Sequence, residues 1–218
     1  MNTKNTIDGY YMGERKEVAD YIIGNNCKVL DFGCGSAEFL SLLKKRNFET
    51  WGVEPVKEIA DIATGKIDRI LNETAESAMA YLPNNYFDYI TFNDVLEHLE
   101  DPWNILRQSS VKLNKEGKLV ASIPNVRFYT NLLNLLFRKD WKYENAGILD
   151  KTHLRFFTKK SMIRLFSDSG YTIEKVVGIN GPRKIHKVCI SFLFNVLTLG
   201  FFSDIKYPQF LIIAKPKK

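Results

Sequence analysis

Residues 28–39 read Lys-Val-Leu-Asp-Phe-Gly-Cys-Gly-Ser-Ala-Glu-Phe, an apolar strand running into a glycine turn with an acid at its mouth. Val29 and Leu30 supply the buried strand and Asp31 stands at its carboxyl end. Gly33 and Gly35 let the backbone approach a bound molecule ahead of a helix that begins near Ala37. About nineteen residues on, a second strand over 49–53 ends in Glu54. In an open parallel sheet, a carboxylate at that tip accepts hydrogen bonds from both ribose hydroxyls of a nucleoside.

The dinucleotide fingerprint G-x-G-x-x-G/A would need a small residue at position 38, where this chain has Glu38. A pyrophosphate would meet that carboxylate, whereas a cationic ligand suits an acidic loop. The turn resembles the first motif of the class I S-adenosylmethionine-dependent methyltransferases, an acid followed by G-x-G-x-G, with Ala37 in place of the last glycine. S-adenosylmethionine carries a sulfonium and an ammonium group. The resemblance implies Asp31, Gly33, Cys34, Gly35 and Glu54 as its binding residues, the alternative being an ordinary strand-to-helix turn.

The chain has 218 residues, 45% hydrophobic and 26% charged, which suits one soluble α/β domain over 1–218. The polar start, Met1 to Asp8, lacks the apolar core of a signal peptide, so a cytoplasmic location is expected. Cys27, Cys34 and Cys189 form no metal-ligand spacing and no even disulfide set. Residues 1–126 hold 14 Lys+Arg against 19 Asp+Glu, and the remainder 17 against 6. A basic half beside a ligand-cradling acidic half suggests an anionic, sugar- or phosphate-containing small acceptor or an anionic membrane surface, with solvated surface charge as the plainer reading. No Arg and aromatic stripe marks a nucleic-acid binder.

Strand and helix signals alternate. Helices are expected over 12–24, 36–46, 56–63, 74–80, 101–113 and 159–169. Strands are expected over 28–32, 49–53, 69–71, 86–92, 118–123, 171–178 and 207–215. This is a parallel α/β plan with a cofactor-binding core over 9–124. After Pro124 the rhythm breaks: residues 125–158 hold an amphipathic run, 126–137, and an aromatic loop, read as an insertion over the acceptor side. Residues 185–202 form an apolar segment, read as a buried or interface helix that contacts a second subunit, a lid or, peripherally, a membrane.

Residues 87–102, Phe-Asp-Tyr-Ile-Thr-Phe-Asn-Asp-Val-Leu-Glu-His-Leu-Glu-Asp-Pro, resemble the fourth-strand motif of the same family. That resemblance implies Asn93 and Asp94 at the methionine end of the cofactor and Glu97 and His98 facing the acceptor, where they either move a proton or brace the loop. Residues 147–158, Gly-Ile-Leu-Asp-Lys-Thr-His-Leu-Arg-Phe-Phe-Thr, with Ile123-Pro124-Asn125-Val126-Arg127, resemble a branch associated with sugar and surface-polysaccharide pathways. Here Arg127 and Arg155 would meet the acceptor, His153 would be the base, and Asp150 would orient its imidazole. Alternatively Asp150, His153 and Arg155 pin the loop. Tyr11 and Arg15 fit a family segment that closes over the donor, Arg15 pairing with the methionine carboxylate or only starting a surface helix. Glu73, or Asn72 in the neighbouring register, would stand near the adenine amine.

The resemblance thus implies a Rossmann-like class I methyltransferase sheet of order 3-2-1-4-5-7-6 with strand 7 antiparallel. It also implies in-line transfer of the sulfonium methyl group to an acceptor hydroxyl, with no metal expected. A nicotinamide-dependent oxidoreductase and a noncatalytic S-adenosylmethionine-binding adaptor are the rivals.

Overall fold

The computed structural model describes residues 13–182, 196 and 198–217. Seven strands, β1 (Lys28–Phe32), β2 (Glu49–Val53), β3 (Arg69–Leu71), β4 (Phe87–Asn93), β5 (Leu113–Pro124), β6 (Tyr171–Ile179) and β7 (Gln209–Pro216), form one sheet. Its order is 3-2-1-4-5-7-6, as expected, with β7 antiparallel to both neighbours. Parallel pairing of β1 with β2 and β4 puts the ends of all three strands at one edge, with Phe32 opposite Val53 and Phe92. The loops that follow them therefore share one crevice, which is where an open α/β sheet binds ligands.

Alternation along the strands feeds two cores. Leu30, Phe32, Phe92 and Ile212 pack on one face, with Phe32 and Phe92 stacked at 4.8 Å, while Val29, Val120 and Leu211 pack on the other. Helices cover both faces: α1 (Lys16–Ala19), α2 (Glu38–Lys44), α3 (Lys57–Ala63), α4 (Ala75–Ala78), α5 (Pro102–Lys112), α6 (Tyr129–Leu133) and α7 (Lys159–Asp168). Capping is specified locally: Asp101 accepts the Asn104 amide at the start of α5, and Thr158 and Ser161 form a reciprocal capping box on α7.

Three expectations need correction or restriction. The helix expected over 12–24 is confined to α1, because Arg15 enters it at φ 45° and the Tyr21 and Ile22 amides close i−3 turns on Val18 and Ala19 that end it. The run 126–137 becomes α6 followed by a π-type turn, Asn134–Arg138, and its apolar side chains Leu133, Leu136 and Phe137 are exposed. The apolar helix expected over 185–202 falls mostly outside the described residues; of its described part, residue 196 is helical and 198–202 are a succession of tight turns. Among the described residues, no helix is long and apolar enough to cross a membrane.

Candidate active site

The glycine turn is held by the carboxylate that the spacing singled out. Glu54 Oε2 accepts the Gly35 amide at 3.0 Å and Oε1 accepts the Val56 amide at 3.0 Å. Burial lifts its carboxyl above the ordinary range, and the two amides oppose that rise. Gly33 and Gly35 both adopt positive φ, and a Cβ on Gly33 would stand 2.6 Å from Val95 Cγ2, so the turn can lie against the loop after β4 only because this residue is glycine. Ala37 takes φ 62° despite its methyl group, at a cost on the order of 1 kcal/mol. Cys34 fixes the turn to β2 by donating its amide to the Val53 carbonyl, and its buried thiol, pushed up by burial, fills space beside Gly52. Glu38, read from the sequence as the acid of the loop entrance, is turned onto Lys66, whose Nζ donates at 2.6 Å. The acidity that faces the crevice comes from Asp31 and Glu54.

Asp31 sits at the end of β1, 2% exposed, where its Oδ1 accepts the Thr91 hydroxyl at 2.6 Å and the Asn93 amide at 3.1 Å. Burial pushes its carboxyl up to about 7, against those two bonds. Asn93 Oδ1 is itself buried with no hydrogen-bond partner among the described residues. Next to it, Asp94 pairs with the Arg15 guanidinium and accepts Gln209 Nε2 at 2.8 Å, while Arg15 Nη2 donates to Ser122 Oγ at 2.7 Å. The groups lining the turn are thus two carboxylates and an unused amide oxygen, all acceptors. That set fits S-adenosylmethionine, whose ribose hydroxyls and ammonium are donors and whose sulfonium is a cation. Asn72 donates to the Glu54 and Pro55 carbonyls and so braces the loop, while Glu73 stands half-buried after β3. Tyr11 lies outside the described residues.

A second cluster faces this one across the end of β4. The turn Leu96–His98 is stitched to the loop before α7 by the Leu154 and Arg155 amides, both donating to the Glu97 carbonyl. Glu97 is 1% exposed, and neither oxygen of its carboxylate has a hydrogen-bond partner among the described residues. Its carboxyl is driven well above the ordinary range by burial and by the nearby Asp94 charge. His153 Nε2 stands 3.9 Å from Glu97 Oε1, and its Nδ1 lies 3.1 Å from the Ile148 carbonyl. The His98 and His153 rings meet edge to face at 4.6 Å, and His98 is held below its usual pKa by burial and by His153. The His153 ring is therefore oriented by Ile148 rather than by Asp150. Asp150 instead accepts the Thr152 amide and hydroxyl, at 2.8 and 2.7 Å, which outweigh burial and hold its carboxyl low. Thr152 in turn presents its carbonyl to His98 Nδ1 at 3.3 Å.

The two arginines expected at the acceptor are engaged elsewhere. Arg127 forks onto Asp204, with Nε donating at 2.7 Å, and Arg155 donates to the Glu100 carbonyl and lies over Trp103. Thr91, Ser122, Gln209 and the Ile148 carbonyl belong to the site and were missed. The available signal for the first two was a hydroxyl on an otherwise apolar strand near its carboxyl end, in 87–93 and 118–123. Gln209 and Ile148 carry no such signal.

The family model described as "Methyltransferase domain" matches residues 7–176. A ubiquinone biosynthesis O-methyltransferase from Aliivibrio fischeri (strain MJ11) is 32% identical over 160 residues, 70% of this chain and 67% of that protein. One of the same description from Aeromonas salmonicida is 23% identical over 159 residues, 70% of this chain and 66% of that protein, so the match spans about two thirds of the relatives' length. A solved structure, a SAM dependent methyltransferase from Archaeoglobus fulgidus, superposes with a TM-score of 0.72 over 98% of this chain and 100% of that one, at 21% identity.

Proposed function

The chain belongs to the class I S-adenosylmethionine-dependent methyltransferases, and from that premise we propose that it moves a methyl group onto a hydroxyl oxygen of a small acceptor. S-adenosylmethionine, the cofactor of the family, supplies an electrophilic methyl group on a sulfonium. Glu54 would hold the ribose hydroxyls, Asp31 and Asn93 Oδ1 the donor's cationic end, and Arg15 and Asp94 the wall beside it. The single observation that carries the acceptor side is the buried Glu97 carboxylate beside two imidazoles on the turn that follows β4, next to Asp94. Its place supports a role in loosening the hydroxyl proton, with His153 as the first candidate base, while the protein aligns the two reactants.

Oxygen as the methylated atom rests on the relatives' names, which put O-methylation in ubiquinone biosynthesis. None of these names supports the sugar or polysaccharide branch, and neither the nicotinamide nor the adaptor reading is favoured beside a methyltransferase family match. An anionic acceptor remains supported by the basic second part of the chain, and a peripheral apolar contact by exposed Leu136, Phe137, Leu199 and Phe201. A donor with a labelled methyl group, offered with phenolic acids and with nucleotide sugars, tests the acceptor by mass spectrometry of the product. Label on carbon or nitrogen, or none on any hydroxyl, would sink the O-methyl assignment.

A further inference from the structure

We infer that Gln209 is a positioning residue for the donor site and that Asn180, at the edge of the sheet, sets the direction of its amide. This deepens the reading of Asp94 as the wall beside the donor and rests on it. Because β7 runs antiparallel to β5 and β6, its first residue lies level with their carboxyl ends, and Gln209 stands opposite Pro124 on one side and Ile179 on the other. The reversed strand thereby delivers a side chain to the ligand edge of the sheet.

Gln209 Nε2 donates to Asp94 Oδ1 at 2.8 Å, and Asn180 Nδ2 donates to Gln209 Oε1 at 2.8 Å. A carboxylate can only accept, so the Gln209 amide must turn its NH2 toward Asp94, which leaves its oxygen for a donor. Asn180 supplies that donor. It follows β6, the edge strand, is exposed, and takes φ 58°.

Asp94 has reason to need this support. It follows β4 in the left-handed region, at φ 57°, with its amide donated to the Ser122 carbonyl. Its carboxylate is held from three separate places: Oδ2 pairs with Arg15 ahead of α1, while Oδ1 accepts Gln209 of β7 and, at 3.4 Å, Ser122 Oγ of β5. Without Gln209, the long Ser122 contact is what remains on Oδ1 among the described residues. The carboxylate could then swing about its Cα–Cβ bond and carry Arg15 with it, so that both groups at the donor's methionine end would leave their places.

The full chain is titrated calorimetrically with S-adenosylhomocysteine, which keeps the methionine end of the donor. Gln209→Leu should weaken binding about tenfold, as loss of a hydrogen bond to a charged group does, and should raise the donor KM by a larger factor than it lowers kcat. Asn180→Asp should weaken binding about threefold or more, because a carboxylate there draws the Gln209 NH2 away from Asp94. Asn180→Gly, which keeps the left-handed backbone, should cost less. Asn180 is exposed, so these two variants decide the matter even where Gln209→Leu fails to fold.

Gln209→Glu sets two carboxylates face to face and should bind worse than Gln209→Leu. Adding Asp94→Asn to it should recover at least about fivefold, since the new amide can donate to the new carboxylate, a rescue that a merely structural role would not give. If Asp94→Asn alone weakens binding while Gln209→Leu and Asn180→Asp do not, the positioning role is overturned and the donor site stands. Unchanged affinity in Asp94→Asn, or no binding by the unmutated chain, overturns the place of Asp94 beside the donor, and the role of Gln209 falls with it. Equal losses in Asn180→Asp and Asn180→Gly, or no recovery in the double variant, overturn the part given to Asn180 and to the amide's direction.

Discussion

Glu54 clamps the glycine turn by accepting the Gly35 amide with one carboxylate oxygen and the amide of Val56 with the other, both at 3.0 Å. One side chain thereby joins the loop after β1 to the loop after β2. The carboxylate cannot rotate away from the crevice without giving up both bonds, so its remaining lone pairs are fixed before any ligand arrives.

Replacing Glu54 with Ala should weaken S-adenosylhomocysteine binding by about tenfold or more, because hydrogen bonds to a charged group contribute about 1.5–3 kcal/mol. Calorimetry on the folded variant checks it. Unchanged affinity would remove Glu54 from the ribose site.

His153→Ala should depress turnover roughly a hundredfold while leaving donor affinity nearly intact, since the ring stands on the Glu97 side of the crevice and not at the glycine turn. Thr152→Val should cost less, because it removes only the hydroxyl that bonds Asp150 and adjoins His98. Initial rates of S-adenosylhomocysteine release discriminate the two. A Thr152 variant that is the worse of the pair would shift the chemistry away from His153.

The Asp31 carboxyl, at about 7 in the folded chain, binds a proton that the unfolded chain has already lost. Its contribution to stability therefore falls as pH rises from the ordinary carboxylate range to about 7. A cationic donor favours the ionised form, so donor affinity should rise between about pH 5.5 and 7.5, by no more than tenfold per unit, and Asp31→Asn should flatten that rise. A profile equally steep in the variant would assign the titration to another group.

Much of this was open to a reader of the sequence alone. The stretch 28–39 announces a strand, a turn and a helix because Val29 and Leu30 are buried and Gly33 needs both its positive φ and its missing Cβ. Spacing alone singles out Glu54, the carboxylate that clamps the glycine turn. The ends of elements were harder, since Arg15, which enters α1 at φ 45°, is tied by its side chain to Asp94 and Ser122, both distant in sequence. The partner of His153 was misassigned for a related reason: a backbone carbonyl, Ile148, leaves no mark in residue type, whereas Asp150 looks like an imidazole partner and is spent on Thr152. Arg127 and Arg155 read as acceptor contacts because both are basic, and nothing in their own positions reveals Asp204 or the Glu100 carbonyl.

The exposed Leu136 and Phe137, at 68% and 77%, adjoin Arg138 and Lys139, and α6 before them is tied to the Ile205 carbonyl through the Tyr129 amide. Apolar tips flanked by cations suit an anionic lipid surface. The chain should float with vesicles containing anionic lipid, less so after Phe137→Ser, and flotation that ignores both lipid charge and this substitution would leave the patch without that role.

The account stands most directly on steady-state rates of methyl transfer, with labelled donor and the small-molecule fraction of a cell extract as acceptor, in the unmutated chain, Glu54→Ala and His153→Ala. Two faces of one crevice predict that label appears in an O-methyl product as S-adenosylhomocysteine forms in equal amount, that Glu54→Ala raises the donor KM, and that His153→Ala lowers kcat. Donor binding with no labelled product from any extract, or the same kinetic change in both variants, would contradict it.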